Sequence, residues 1–271
     1  MRYAVIGGDM RFVHMVRMLE ESGRPAAGFL QERAGGNALP LERLHDHSCI
    51  IANWPVKQPL AEQERSMEEI MGHIAPGSVL LLCGPGFPKE RRWDLQYENI
   101  WDDAELLQEN ACLTAEGAVA AVMAKSQRRL RGMEALVIGY GRIGRALAEI
   151  LKNIGVQVTV ATGSGAKRRQ IEASGARSVR MESVAHAVRG KDVIFSTPPA
   201  EVIAKDALGN IEGDAMLVDL ASPPYGFDLD AARALGLNAW REPGLPGRYC
   251  PVSAARAVYD AILRWEERQH G

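Results

Sequence analysis

Three glycines in one short stretch have the spacing of a phosphate-binding turn. Gly139, Gly141 and Gly144 follow the apolar run Ala135-Leu136-Val137-Ile138. In such a turn the first glycine permits a tight bend, the second lets the backbone approach a pyrophosphate, and the third brings the following helix close to the sheet. The start of that helix presents unpaired N–H groups to the phosphates. We therefore predict a dinucleotide site formed by Gly139, Tyr140, Gly141, Arg142, Ile143 and Gly144.

The turn after the next strand indicates which dinucleotide is bound. Sites for NAD usually carry an acidic residue about 20 positions beyond the first glycine, where it binds the ribose hydroxyls. Thr162-Gly163-Ser164 stands at this place without a carboxylate, and Lys167 and Arg168 follow. Hydroxyls and cations suit a 2′-phosphate, so we predict NADP as the cofactor. The alternative is that these cations simply begin a solvated helix.

Two further loops follow candidate strands over 192–196 and 216–220. Because ligands in open α/β sheets lie beyond the carboxyl ends of the strands, we predict that both loops face ribose or nicotinamide. Ordinary turn formation by proline is the alternative for either loop taken singly. The predicted contact residues are Thr197, Pro198, Pro199, Leu220, Ala221 and Ser222.

Candidate catalytic residues lie elsewhere in the chain. Asp9 and Arg11 follow the first strand, and Glu116 lies near the start of a predicted helix that has Thr114 as its N-cap. A carboxylate could accept a proton and an arginine could hold a substrate carboxylate, so Glu116 or Asp9 is the candidate base and Arg11 the first candidate clamp, with Arg248 second. A helix cap or a surface charge is the competing interpretation of each.

Alternating strands and helices predict an α/β fold with two Rossmann-like doubly wound domains whose parallel sheets flank a cleft. The first domain is expected over 1–112, as a flavodoxin-like substrate domain joined by a C-terminal helix over 251–271. The second is expected over 113–250, as an NADP-binding Rossmann domain that includes a bridging helix over 114–131. The length of 271 residues is sufficient for two hydrophobic cores.

Composition excludes several other classes of protein. The formal net charge is −2 and charged residues make up 24%, so no basic excess indicates nucleic acid. The four cysteines are widely separated and form no zinc motif, which predicts reduced thiols and no metal site. Without a signal-peptide pattern or a long apolar run, we expect a cytoplasmic protein with no membrane contact.

The motifs together resemble the A subunit of dipicolinate synthase from spore-forming bacteria. The resemblance extends over nearly the whole chain, and its most specific parts are the Gly-Gly-Asp opening and the Pro-Gly-Leu-Pro-Gly segment. The motifs that carry it are Gly7-Gly8-Asp9 with Arg11, Thr114-x-Glu116-Gly117, Gly139-x-Gly141-Arg142-x-Gly144, Asp219-Leu220-Ala221-Ser222-Pro223 and Pro243-Gly244-Leu245-Pro246-Gly247.

The resemblance implies that NADP oxidises a dihydrodipicolinate, formed from 4-hydroxy-tetrahydrodipicolinate, to dipicolinate. It further implies a small dicarboxylate substrate, a partner that is a flavoprotein-like B subunit, and a role in the mother cell during sporulation, with homo-oligomer formation left open. Two alternatives stay open. One is a D-2-hydroxyacid-type dehydrogenase, against which the absence of a histidine between Trp240 and His270 counts. The other is a regulatory subunit that binds NADP without turnover.

Overall fold

Strands and helices alternate along the chain, as the sequence pattern predicts. A computed structural model describes residues 1–53, 67–84 and 95–270. Contacts group the chain into an N-terminal unit, made of Met1–Asn110 and Pro246–Gly271, and a central unit, Ala111–Leu245. The predicted fold class of two parallel-sheet α/β domains is confirmed.

The bounds of the elements are as follows. The strands are β1 (Tyr3–Ile6), β2 (Ala26–Phe29), β3 (Cys49–Ala52), β4 (Val79–Leu82), β5 (Gln96–Asn99), β6 (Glu134–Ile138), β7 (Gln157–Ala161), β8 (Arg177–Val179), β9 (Val193–Ser196), β10 (Met216–Asp219) and β11 (Asn238–Arg241). The helices are α1 (Met10–Glu21), α2 (Met67–Gly72), α3 (Ala104–Lys125), α4 (Arg142–Asn153), α5 (Gly165–Ala173), α6 (Val184–Ala187), α7 (Lys205–Leu208), α8 (Leu229–Ala234), α9 (Leu245–Tyr249) and α10 (Pro251–His270).

The described strands of the N-terminal unit form one parallel sheet in the order β2-β1-β3-β4-β5. This is the order of flavodoxin-like folds. The C-terminal helix α10 packs against α1 and contributes Ala255, Val258, Ile262 and Trp265 to the core beneath the sheet. An ion pair of 2.8 Å between Arg24 and Glu266 holds the far end of α10.

The central unit contains a six-stranded parallel sheet in the order β11-β10-β9-β6-β7-β8. Counted from β6, this is the 3-2-1-4-5-6 order of the Rossmann fold, and the order reverses between β6 and β9. One hydrophobic core covers each face of the sheet: Val137, Leu147 and Phe195 belong to one, and Ile138 and Ile194 to the other. The carboxyl ends of β6 and β9 are therefore the expected place for a ligand.

The structure corrects the predicted bridging helix over 114–131. Helix α3 begins at Ala104, because Asp103 accepts the backbone N–H of Leu106 at 2.8 Å as an N-cap does. Thr114 is a buried residue inside the helix and is not its cap. The helix ends at Lys125, because the Ser126 hydroxyl accepts the N–H of Arg128 and turns the chain.

Within residues 1–53, 67–84 and 95–270, no helix is both long and apolar enough to cross a bilayer. The same residues contain no group of three or more His, Cys, Asp or Glu side chains placed to hold a metal ion. The four cysteines are free thiols, and Cys49 and Cys83 are buried.

Candidate functional site

Close packing requires glycine at two of the three glycine positions in the turn after β6. Gly139 has φ +94°, and a Cβ at this position would collide with the Thr197 hydroxyl. A Cβ on Gly144, inside α4, would collide with the carbonyl oxygen of Gly139. Helix α4 can therefore approach the turn only because both residues lack a side chain.

The middle glycine faces open space. Gly141 is the N-cap of α4, with φ −83°, and a Cβ there would meet no described atom within 4 Å. The N–H groups of the first helical turn have no side chain from this cap to accept them. Open space beside helical N–H groups is what a pyrophosphate needs, so the turn fits a dinucleotide.

The loop after β9 is fastened to the end of β6. Ser196 pairs with Ile138 in the sheet, and the Thr197 hydroxyl donates to the Ile138 carbonyl at 2.9 Å. The ring of Pro198 lies beside Gly139, whereas Pro199 is exposed. The predicted residues of the glycine turn and of the β9 loop thus meet at the point where the strand order reverses.

The side chains of Tyr140 and Arg142 differ in their exposure to solvent. Tyr140 is 9% exposed and belongs to the hydrophobic core between the sheet and α4. Any contact of Tyr140 with a nucleotide is therefore made through its backbone. Arg142 is exposed at the first position of α4, and Ile143 is half-buried.

Polar and cationic groups line the turn between β7 and α5. Thr162 is buried, and its hydroxyl accepts the N–H of Ser164 at 3.4 Å. Ser164 is the N-cap of α5 and accepts the N–H of Lys167 at 3.3 Å. The Arg168 guanidinium lies 3.5 Å from the Thr162 carbonyl, so its charge is held against the turn. Gly163 is exposed, and a Cβ there would meet no described atom within 4 Å.

A buried carboxylate supports the loop after β10. Asp219 is 1% exposed and accepts the N–H of Ala221 at 3.1 Å and that of Gly226 at 3.0 Å. Burial raises the pKa of the Asp219 carboxyl, while these two N–H groups and Arg241 oppose the rise. The predicted residues Leu220 and Ala221 are half-buried, and Ser222 is exposed.

The predicted site residues did not include Asp219, Ser196 and Arg241, which lie beneath or beside the loop after β10. They end three neighbouring strands in register, because Asp219 pairs with both Ser196 and Arg241 in the sheet. One signal in the sequence could have revealed Asp219: it is an acidic residue that directly follows the apolar run Met216-Leu217-Val218 and precedes a Pro-containing loop.

In the N-terminal unit, the predicted base and the predicted clamp bind each other. The Arg11 Nε lies 2.8 Å from one Asp9 carboxylate oxygen, and Nη2 lies 2.9 Å from the other. Asp9 also caps α1 by accepting the Arg11 N–H at 3.0 Å. A Cβ on Gly247 would collide with the Asp9 carboxylate, so Gly247 packs directly on this pair within the N-terminal unit.

The other two candidate residues lie on helices. Glu116 is exposed in the middle of α3. Arg248 is exposed on α9, with its guanidinium carbon 5.5 Å from the centre of the Tyr249 ring. Their catalytic roles stay predictions.

Comparison with known families agrees with the geometry of the central unit. Residues 106–222 match the sequence model of the NAD-binding domain of D-isomer specific 2-hydroxyacid dehydrogenases. The matched region contains the whole glycine turn and the loops after β7 and β9, and it ends at Ser222, at the beginning of the loop after β10. This match supports a nicotinamide dinucleotide as the cofactor.

Comparison with individual proteins extends the similarity to the whole chain. The A subunit of dipicolinate synthase from Bacillus subtilis (strain 168) is 26% identical over an alignment that covers 97% of this chain and 95% of that protein. The chain is a relative of this A subunit. The resemblance predicted from the motifs is thereby confirmed.

Solved structures of the A subunit of dipicolinate synthase have the same fold as this chain. The Bacillus halodurans protein superposes with a TM-score of 0.83 at 20% identity, with 97% of each chain covered. The Bacillus subtilis protein gives 0.82 at 20% identity, covering 100% of this chain and 98% of that one. A transhydrogenase from Sinorhizobium meliloti gives 0.75 at 14% identity, covering 98% and 94%. These structures show the shared fold. The 26% identity to the Bacillus subtilis A subunit and the match to a dehydrogenase NAD-binding domain support an oxidoreductase-like protein that binds a nicotinamide dinucleotide.

Proposed function

We propose that this protein oxidises a dihydrodipicolinate to dipicolinate with NADP, as one of the two components of a dipicolinate synthase, the A subunit. The observation that carries the proposal is the open glycine turn at the strand-order reversal, in a chain related over its whole length to that family. When bound, the nicotinamide would accept the hydride from a ring carbon of the substrate. The ring proton would pass to a base, leaving aromatic pyridine-2,6-dicarboxylate, and the dihydrodipicolinate itself arises from 4-hydroxy-tetrahydrodipicolinate by loss of water.

The residues of the β7–α5 turn support NADP over NAD. The place of the usual ribose-binding acid is taken by Thr162, and the hydroxyls of Thr162 and Ser164 can donate to a 2′-phosphate. Arg168 already lies against this turn, and Lys167 is exposed beside it. A carboxylate at this place would repel the phosphate, whereas these groups attract it.

In the N-terminal unit, the Asp9–Arg11 pair supports a role for Arg11 in binding a substrate carboxylate. The pair engages Nε and Nη2 of the guanidinium, so Nη1 is the group that we assign to the substrate. Asp9 then orients Arg11, and Glu116 becomes the preferred base. Arg248 is the second candidate for the two carboxylates of the substrate.

The proposal includes the biological setting that the family resemblance implies. A flavoprotein-like B subunit would be the partner, and the mother cell of a sporulating bacterium the location. Homo-oligomer formation stays an open prediction, to be measured by light scattering of the purified chain.

The decisive experiment incubates the purified protein with NADP and 4-hydroxy-tetrahydrodipicolinate, with and without a B subunit, and follows NADPH and dipicolinate by absorbance. Formation of both products in equal amounts is expected. Oxidation of 2-hydroxyacids instead would identify a D-2-hydroxyacid-type dehydrogenase, and NADP binding without turnover under both conditions would identify a regulatory subunit.

Variants then test the catalytic assignments. Glu116→Gln should lower turnover, because an amide cannot accept the ring proton. Arg11→Lys should raise the KM for the dicarboxylate, because lysine lacks the planar fork. Glu109→Gln, an exposed change on the same helix α3, is the control. Wild-type turnover in Glu116→Gln would remove the base assignment.

A further inference from the structure

The loop over residues 221–226 is held at both ends by one carboxylate. Asp219 accepts the N–H of Ala221 at the beginning of the loop and the N–H of Gly226 at its end, at 3.1 and 3.0 Å. Between these anchors the chain makes a turn in which the Tyr225 N–H donates to the Ser222 carbonyl at 3.0 Å. A single buried side chain therefore holds the two ends of the loop close together.

A guanidinium supports the same loop from the neighbouring strand. Arg241, at the end of β11, has its Nε 3.9 Å from Asp219 and its guanidinium carbon 3.8 Å from the centre of the Tyr225 ring. Its Nη2 lies 3.4 Å from the Phe227 carbonyl. Arg241 thus forms a long ion pair with the carboxylate, lies over the Tyr225 ring and reaches the backbone that follows the loop.

The floor of the loop is also closely packed. A Cβ on Gly226 would collide with the buried Ser196 hydroxyl, so only glycine fits at this position. The Gly226 carbonyl accepts the N–H groups of Val202 and Ile203 at 2.9 and 3.1 Å. Tyr225 has φ +74°, which is unfavourable for a residue with a side chain and is retained here by its contacts.

This loop lies on the half of the sheet that should receive the nicotinamide. In a Rossmann fold each half of the sheet binds one mononucleotide, and the half formed by β6, β7 and β8 carries the turn assigned above to the adenosine ribose. Strands β9, β10 and β11 form the other half. The Ala221–Ser222 segment at the end of β10 therefore borders the space for the nicotinamide ribose and ring.

We propose that Asp219 and Arg241 are positioning residues that fix the loop over 221–226 for the nicotinamide half of the cofactor. Neither needs to touch the cofactor. The carboxylate sets both ends of the loop, and the guanidinium holds the Tyr225 ring and so prevents the turn from opening. The inference rests on the proposed binding of a nicotinamide dinucleotide.

The test compares the dissociation constants of NADP and of adenosine 2′,5′-bisphosphate, which lacks the nicotinamide half. If the wild type prefers NAD, then NAD and ADP replace them. In Asp219→Asn an amide NH₂ would face one of the two N–H donors, and one charge-assisted hydrogen bond is lost. We expect the Kd for NADP to rise about ten-fold in this variant, while the Kd for adenosine 2′,5′-bisphosphate stays within about two-fold of wild type. The ratio of the bisphosphate Kd to the NADP Kd should therefore fall about ten-fold.

A second variant and a control complete the design. Arg241→Lys keeps the charge but loses the planar stacking on Tyr225, so the same ratio should fall by a smaller factor even if Asp219→Asn folds poorly. Asp192→Asn is the matched control, because Asp192 accepts a backbone N–H from Glu134 at 2.8 Å at the amino ends of β6 and β9, away from the loops at their carboxyl ends.

The outcomes separate the two levels of the proposal. An unchanged ratio in folded Asp219→Asn and Arg241→Lys, with normal binding by the wild type, overturns the positioning role alone. An equal ratio loss in Asp192→Asn overturns it too, since the effect would then be general loosening of the unit. Failure of the wild type to bind either dinucleotide overturns the proposed function and this inference together.

Discussion

Alanine substitutions at Gly141 and Gly144 should have different effects, although both residues lie in the same turn. One should weaken nucleotide binding and the other should lower the stability of the fold. Both residues belong to the glycine turn after β6, yet their surroundings differ. A Cβ on Gly144 meets the backbone of Gly139, which cannot move without opening the turn, whereas a Cβ on Gly141 meets no described atom within 4 Å. The first substitution should therefore damage the apo protein, and the second should damage nucleotide binding.

The magnitudes follow from two opposing terms at Gly144. Alanine gains about 1 kcal/mol over glycine inside a helix, and overpacking against a rigid neighbour costs about 1–3 kcal/mol. The collision with the Gly139 carbonyl oxygen is severe, so the upper part of that range applies and Gly144→Ala should lose about 2 kcal/mol of unfolding free energy.

At Gly141 the position is an N-cap, where alanine is poorer than glycine by only about 0.5 kcal/mol. The methyl group would instead occupy the place of the pyrophosphate and remove one or two hydrogen bonds to helical N–H groups. We expect the Kd for NADP to rise about 10- to 100-fold.

Urea unfolding of the apo protein and calorimetric titration with NADP provide the two readouts. Gly209→Ala is the control, because it has φ −65° and a Cβ there makes only ordinary contacts at 3.6 Å and beyond. Wild-type affinity in Gly141→Ala would show that the pyrophosphate does not bind at this turn. Wild-type stability in Gly144→Ala would refute the packing argument.

Three further predictions concern other parts of the chain. Arg168→Ala should raise the Kd for NADP about ten-fold and leave the Kd for NAD unchanged in titration, because it removes the cation that we assign to the 2′-phosphate. The Arg264 guanidinium holds the pKa of Asp103 below its usual value, so the ionised carboxyl stabilises the fold above about pH 4 and this contribution is lost as the pH falls through the lowered pKa. Asp103→Asn should therefore cost about 1 kcal/mol in urea unfolding at pH 7 and make the decline in stability below pH 4 shallower. Burial raises the pKa of Cys49 and Cys83 to about 12, so a thiol reagent at pH 8 should label at most two of the four cysteines until urea is added.

Each of these predictions has its own control. Arg169→Ala, an exposed change next to Arg168, should leave both nucleotide affinities unchanged. Asp103→Asn keeps a side-chain oxygen for the Leu106 N–H, so an equal loss of stability at pH 3 and pH 7 would contradict the ion-pair account. Rapid labelling of all four thiols in the native protein would contradict the burial of the two cysteines.

The sequence predicted the features that depend on short-range patterns. An apolar strand, three spaced glycines and a helix at 3.6-residue spacing are local, so the β6 turn and helix α4 appear where expected. Helix α3 was misplaced because Thr114 has the chemistry of a cap, while the true cap, Asp103, lies in a polar stretch without a clear period. The sequence pattern gives no indication of strand β5, because its residues, Gln96–Asn99, lack an apolar run.

In the candidate site, too, the features set by neighbouring residues could be predicted and those set by the three-dimensional fold could not. The residues of the β7–α5 turn are sequence neighbours, and their types alone predict an anion site. The pairing of Asp9 with Arg11 and the support of the β10 loop by Arg241 depend on side-chain direction and on strand order. Neither is contained in a spacing pattern, so both become visible only in three dimensions.

The discontinuous N-terminal unit has a consequence for biosynthesis. Its core includes Ala255, Val258, Ile262 and Trp265 from α10, which leave the ribosome only after the whole of Ala111–Leu245. The central unit can thus fold while the earlier-made unit still exposes the apolar surface of β1 and α1. During this interval the nascent chain is open to aggregation or to chaperone binding, and arrival of α10 ends it.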